Sequence, residues 1–530
     1  MRTEFLLRYF GRFHLFVSGL FLVPMVVGLL CGDFEKHEHR AIWAWLTPFL
    51  LVMSIGIVLS LLAGKDGAAG DTGGMRRREG FLVVAFSWIL MIIYGTIPFV
   101  ILESIPEIPR NTGGLSEAWE VFTSALFESA SGFTTTGATV LSDIEAQPKG
   151  ILFWRSFSHW LGGMGIIVLS VAILPELAVG GMQLFSAESS GLGIEKLAPR
   201  IRQTALRLWV LYAALTVVEI LLLVMGDMSL FDSVNHSLAT TATGGFSPLN
   251  ESIGTYSNPN SAHFHENALY FETIITIFMF LAGLNFVLQY RAVVRNEVSS
   301  LFRSSEVRLY VLILVVVMTL ITADLLVASH GDLGRCIRDS GFQTVAILTT
   351  TGFGTADFER WPSLSKILIV TMMVVGGCAG STAGGLKIIR VVVVLKHAAR
   401  ECRRLLFPRL VRPLRVDGKA INDELLWGIL GFFTMYVITF LATTALLCGL
   451  PHAPAAGTTD PAIDLVTAST ASLSALNSIG PGLGRVGPVE NFQFVHPIGK
   501  LALSFCMLLG RLEIYTLLVL FLPNFWRRGR

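Results

Sequence analysis

Four short clusters combine hydroxyl side chains with glycine: Phe133-Thr134-Thr135-Thr136-Gly137, Thr241-Ala242-Thr243-Gly244-Gly245-Phe246, Thr349-Thr350-Thr351-Gly352-Phe353-Gly354 and Leu476-Asn477-Ser478-Ile479-Gly480-Pro481-Gly482. None carries a charge, so their chemistry is that of neutral oxygen donors. A monovalent cation leaving water must exchange its hydration shell for oxygen ligands, and rings of backbone carbonyls can supply them. Aiming successive carbonyls at one axis asks for dihedrals that a β-carbon resists and glycine permits. The glycines at 137, 244, 352 and 480 are spaced by 107, 108 and 128 residues, which marks an internal repeat. One such cluster signals only a turn; four at matching places call for a shared purpose. Glu128, Asp143, Glu145, Asp232 and Asp357 lie nearby and would draw cations toward a mouth.

A second unusual stretch, residues 376–385, reads GGCAGSTAGG. Each glycine costs roughly 0.8–1 kcal/mol relative to alanine in a helix, which disfavours a continuous helix here. The stretch is read as a loop beneath the third cluster, able to obstruct or clear a path; a close helix-packing face of small residues is the alternative. Arg511, in the apolar run CMLLGRLEIYTLL, costs about 2.5–3.5 kcal/mol at mid-membrane on insertion scales. It is placed either below the clusters, repelling or gating cations, or in a local ion pair. Glu513 is assigned to Lys387. The GxGxxG match at Gly482–Gly487 lacks a preceding strand and is followed by Pro488, so a dinucleotide site is not inferred. His37, His39, His263 and His265 read as loop residues. The six cysteines show no metal spacing, and no nucleophile–base constellation stands out.

The elements that must position these residues are membrane spans. Of 530 residues, 53% are hydrophobic and 15% charged, against about 25% charged in soluble proteins. A formal charge of +2 gives no reason to propose nucleic acid. Ten apolar stretches approach the roughly 20 residues a span needs: 13–31, 41–63, 81–102, 150–174, 208–226, 267–290, 308–328, 364–398, 424–449 and 497–523. With the N-terminus inside, alternation puts 28 Lys/Arg inside and 8 outside, which also places the C-terminus inside. The inside stretch 387–419 is rich in arginine and suits anionic lipid; it is also long enough to dock a cytosolic partner.

The outside segments 103–149, 227–266, 329–363 and 450–496 are long, and each contains one cluster. Each repeat is therefore a span, a short re-entrant helix, an extended strand and a second span. Non-helical backbone at membrane depth must be buried in protein or line water, which four copies around one axis would provide. The expected fold is an all-α polytopic membrane protein of four fused span–pore helix–filter–span repeats with pseudo-fourfold symmetry, plus two extra N-terminal spans. The divisions fall at 1–80, 81–206, 207–306, 307–422 and 423–530.

The stretch Phe153-Trp154-Arg155-Ser156-Phe157-Ser158-His159-Trp160-Leu161-Gly162-Gly163-Met164-Gly165-Ile166, the four clusters, GGCAGSTAGG and Gly510-Arg511-Leu512-Glu513 together resemble the membrane subunits of bacterial Trk potassium-uptake systems, in the Trk/Ktr/HKT superfamily. The resemblance implies potassium uptake across the bacterial inner membrane, with both termini cytoplasmic, a homodimer, and a cytosolic nucleotide-binding regulatory subunit. It implies K+ as the bound and transported ion, with no organic cofactor. Its ligands would be carbonyls at Thr135, Thr136 and Gly137; Ala242, Thr243 and Gly244; Thr350, Thr351 and Gly352; and Ser478, Ile479 and Gly480. The gate would comprise Gly376, Gly377, Gly380, Ser381, Thr382, Gly384, Gly385 and Arg511. A serine at the first filter glycine is associated with sodium in the superfamily; Gly137 favours potassium. Ion-coupled symport with sodium or protons is the alternative, and a membrane enzyme or scaffold ranks last.

Overall fold

The computed structural model describes residues 2–63, 77–102, 104, 115–168, 201–329, 332–408, 413–454 and 462–527. Residues 169–174 of the fourth expected span lie outside these, as do Lys65, Arg76, Arg110, Lys196, Arg200, Arg409, Arg412, Arg528 and Arg530. So do the side chains of Lys36, His37, His39, Arg77 and Arg202.

The described residues are mostly helical. Six helices are long and apolar enough to cross a membrane, or eight if two sharply bent pairs each count as one span. The N-terminal hairpin comprises α1 (Thr3–Leu20), α2 (Leu22–Leu30) and α3 (Asp33–Leu62). It docks on α6 (Lys149–Val168) through one carboxylate: Asp33 accepts from the amides of Lys149 at 3.0 Å and Gly150 at 2.7 Å. These are the unsatisfied donors of a helix start, where negative charge is favourable. Phe21 and Trp45 then pack on Trp154, with ring centroids 5.0 and 5.9 Å away. Between hairpin and α6 in the chain come α4 (Arg77–Ile101) and α5 (Leu115–Phe133).

Short helices end at each of the four clusters: α5, α8 (Leu230–Thr241), α13 (Leu333–Leu348) and α17 (Leu465–Asn477). Three of them start on polar caps, with Ser229, Asp332 and Asp464 accepting backbone amides. The helices preceding the last three clusters are α7 (Ile201–Met225), α12 (Ser305–Ser329) and α16 (Asp423–Gly449).

Three of the ten apolar stretches are broken, the one at 364–398 as its glycines lead one to expect and the other two against expectation. The stretch 267–290 forms α9 (Ala268–Ala282) and α10 (Phe286–Val294), bent by 105°. The Asn285 side chain accepts from Val287 and Leu288 amides and starts a new helix inside an apolar run. A short α11 (Ser299–Arg303) leads into α12. The stretch 364–398 forms α14 (Ser363–Val374) and α15 (Ile388–Leu406), separated by non-helical backbone at 375–387. The stretch 497–523 forms α18 (Pro497–Arg511) and α19 (Tyr515–Leu518), bent by 108°. Glu513 and Ile514 take left-handed backbone at that corner. The chain closes with α20 (Pro523–Trp526), and a two-stranded hairpin, β1 (Arg415–Val416) and β2 (Lys419–Ala420), turns through Asp417-Gly418.

Candidate functional site

The four clusters share one backbone device. Each short helix ends with a left-handed residue that is not glycine: Thr135 (φ 54°), Thr243 (54°), Thr350 (57°) and Ser478 (56°). The next amide turns back onto the helix, from Thr136 to Ser131 O, Gly244 to Ala239 O, Thr351 to Ala346 O and Ile479 to Ser474 O, at 2.8–3.1 Å. This is a Schellman closure with a hydroxyl residue where glycine is usual, costing about 1–2 kcal/mol per site. Strain of this kind collects at functional sites. Two residues on comes a left-handed glycine: Gly137 (φ 82°), Gly245 (81°), Gly352 (75°) and Gly480 (104°).

These glycines close a ring. A β-carbon on Gly137 would strike the Gly244 carbonyl oxygen; on Gly245, that of Thr351; on Gly352, that of Ile479; and on Gly480 it would lie 2.9 Å from that of Thr136. Each loop thus lays a glycine against a carbonyl of the next, and the fourth returns to the first. The carbonyl concerned always belongs to the residue whose amide is tied back to its own helix. All four glycines line one cavity beyond the ring.

The second loop differs by one residue from its expected alignment. Gly245, not Gly244, adopts the backbone of Gly137, because two consecutive glycines leave the register to conformation. Gly244 instead packs on the His159 ring and supplies its carbonyl. Thr243 to Gly245 therefore corresponds to Thr135 to Gly137, with Ala242 one residue before.

The charged surroundings also depart from expectation. Glu128 is fully buried and pairs with Arg155 at 2.8 Å, so it draws no ions to a mouth. Its carboxylate also accepts from the Val140 amide at 2.9 Å and the Thr139 hydroxyl at 3.0 Å. Arg155 donates to the Ser247 carbonyl at 3.0 Å and lies 4.0 Å over the Phe246 ring. The pair braces the first two loops from behind. Glu128→Gln is expected to lower stability by about 3–5 kcal/mol, since it leaves a buried cation uncompensated. Thermal unfolding in detergent checks this: recovery in Glu128→Gln/Arg155→Leu supports the brace, and an unshifted single variant refutes it.

Of the five acids expected near the mouth, none lines the cavity beyond the ring; Glu490 does, and is exposed. Glu490→Gln is expected to slow the arrival of cations at this cavity about twofold at low ionic strength, as one charge at ~10 Å in water implies. The effect should vanish at high salt; a salt-independent effect would contradict steering.

On the opposite side of the ring, the 375–387 segment meets three loops. Its Gly384 amide donates to the Thr350 hydroxyl at 2.6 Å, and the Thr382 hydroxyl donates to the Thr241 carbonyl at 3.0 Å. A β-carbon on Gly384 would strike the Asn477 carbonyl. Arg511, 2% exposed, donates to the Thr382 carbonyl at 2.7 Å and the Gly162 carbonyl at 3.3 Å. The four short helices direct their C-terminal ends, and hence partial negative charge, at the ring. The hydroxyls of Thr135 and Ser478 are buried without a hydrogen-bond partner.

Glu513 is not the partner of Lys387. The corner after α18 carries it to Arg390, which also lies 4.0 Å over the Phe432 ring, while Lys387 donates to the Ala383 carbonyl. The GxGxxG match is a tight turn, closed by the Gly482 amide donating to the Val486 carbonyl at 2.6 Å.

Bundled apolar helices, six of them long enough to cross a membrane, around a closed circuit of loops are the build of a multi-pass membrane protein. The chain belongs to the TrkH family, described as cation transport protein, whose family model matches residues 55–528. It is 37% identical over 531 residues to the Trk system potassium uptake protein TrkH of Escherichia coli K12, covering 99% of this chain and all of that one. The Trk system potassium uptake protein TrkG of the same organism is 30% identical, covering 96% of this chain and 95% of that one. The crystal structure of the potassium transporter TrkH from Vibrio parahaemolyticus superposes with a TM-score of 0.82 at 33% identity, covering 99% and 100% of the two chains.

Proposed function

We propose that this protein takes up potassium through the ring of four loops, which acts as the selectivity filter. The closed circuit of glycine-to-carbonyl contacts carries this reading. Ions would bind carbonyls of Thr135–Gly137, Thr243–Gly245 with Ala242, Thr350–Gly352 and Ser478–Gly480; the unpartnered hydroxyls of Thr135 and Ser478 suit a ligand that arrives with the ion. Residues 81–206, 207–306, 307–422 and 423–530 would be four pseudo-fourfold repeats, with 1–80 flanking them. The segment holding Gly376, Gly377, Gly380, Ser381, Thr382, Gly384 and Gly385 would be the gate, with Arg511 anchoring it. A cytosolic nucleotide-binding regulatory subunit would move it, in a homodimer of the bacterial inner membrane with both termini cytoplasmic.

Rubidium flux into protein-containing liposomes, competed by potassium and by sodium, tests this. Competition by potassium well above that by sodium is expected; equal competition, or no flux, overturns it. One observation favours ion-coupled symport as a second reading. Glu219, within α7, is fully buried, with the Thr240 hydroxyl as a hydrogen-bonding neighbour. Carboxyls at membrane depth often mark relays. A reversal potential that follows the proton or sodium gradient, and ceases to in Glu219→Gln, would favour symport.

A further inference from the structure

Away from the ring, a cavity of about 810 Å³ opens among the α9–α10 bend, α11, the start of α12, α15 and the β1–β2 hairpin. Six cationic side chains line it: Arg291, Arg303, Arg308, Lys396, Arg415 and Lys419. Its three carboxylates are already engaged. Glu297 pairs with Arg291 at 2.5 Å, and Asp417 accepts from the Ser305 amide at 3.0 Å. Glu306, 1% exposed, accepts from the amides of Ala379 at 2.6 Å and Ile389 at 3.3 Å. The balance is therefore cationic around an open volume. Beside these lining residues in the chain, Val293, Val294 and Phe302 are 72%, 59% and 73% exposed.

We propose that this cavity binds the phosphate of an anionic phospholipid, and that its occupancy biases the 375–387 segment. Guanidinium groups match phosphate oxygens bidentately, and clusters of Lys/Arg at the end of spans attract anionic headgroups. The exposed apolar residues give the acyl chains a surface, which a soluble phosphate would not need. The connection to the interior is direct. Glu306 holds the amide of Ala379, inside the Gly-rich stretch, and that of Ile389, just after it, and the Phe286 amide, next to cavity-lining Asn285, donates to the Gly380 carbonyl at 3.1 Å. A phosphate drawing on Arg308, two residues from Glu306, acts on the turn of α12 that carries this carboxylate. The effect on flux rests on the reading of the segment as a gate; the binding does not.

The full-length protein is reconstituted in phosphatidylcholine vesicles with or without phosphatidylglycerol. Retained phosphatidylglycerol is counted by native mass spectrometry, and rubidium flux is read in parallel. Wild type is expected to retain phosphatidylglycerol and change its flux with it. Arg308→Gln and Lys396→Gln should each weaken retention about fivefold, as roughly one interfacial charge implies. Arg308→Lys should recover part, and Arg12→Gln, an exposed cation outside the cavity, should change nothing. Size-exclusion profiles matching wild type exclude misfolding as the cause. Equal retention by all variants overturns the site. Displacement of the lipid by inorganic pyrophosphate at low concentration overturns the lipid as source. Retention with unchanged flux overturns the coupling, whereas absence of flux in every vesicle counts against the transport reading instead.

Discussion

Gly245→Ala is expected to reduce rubidium uptake by more than about 100-fold while the protein still reaches the membrane. Two costs combine at this position. Its φ of 81° is left-handed, where a β-carbon costs about 1–2 kcal/mol. The new carbon would also strike the Thr351 carbonyl oxygen, and relieving such overpacking costs typically 1–3 kcal/mol. The displaced group is one of the four ring carbonyls, so the damage falls on the proposed ligand set. Gly137→Ser should act likewise through the Gly244 carbonyl, with lowered selectivity for potassium over sodium. Gly19→Ala, whose β-carbon would meet open space, is the control. Near-normal uptake by Gly245→Ala, in liposomes of matched protein content, would sink the assignment of the ring as the conduction path.

Arg511→Gln is expected to raise basal uptake about 30-fold in the absence of any regulatory subunit. Two unit charges ~8 Å apart at an effective dielectric constant near 20 repel by ~2 kcal/mol, the scale on which a buried guanidinium beside the proposed path would oppose a passing cation. Glutamine keeps a donor for the Thr382 carbonyl while removing the charge. Arg511→Lys should stay close to wild type if charge is what matters. A fall in uptake for Arg511→Gln, with selectivity retained, would show that the guanidinium supports the segment instead of blocking the path.

Local pattern reaches some of this architecture and stops at identifiable places. The four clusters were legible because glycine and threonine recurred at matching positions, and three of the short helices carry polar caps that a reader of sequence can see. The break at 375–387 was legible for the same reason: its glycines are too many for a helix. The corners at Gly283–Asn285 and Leu512–Ile514 were not, since hydropathy runs through them unchanged and only Asn285 hints at a new helix start. Register in the second loop was hidden by Gly244-Gly245, two residues that conformation alone separates. Glu128 looked like a surface acid because its cation, Arg155, is 27 residues away and meets it only after folding. The pairing of Glu513 with Arg390 depends on the corner itself.

The four loops of the proposed aperture belong to one polypeptide, so its quadrants can differ mechanically. Arg155 grips the first two through Thr139, Ser247 and Phe246, whereas the third alone receives an amide from the interior segment, at Thr350. A push delivered through Gly384 would tilt that single quadrant instead of dilating the whole opening. Current through one molecule would then step between sublevels, with the first two quadrants holding still while the third swings.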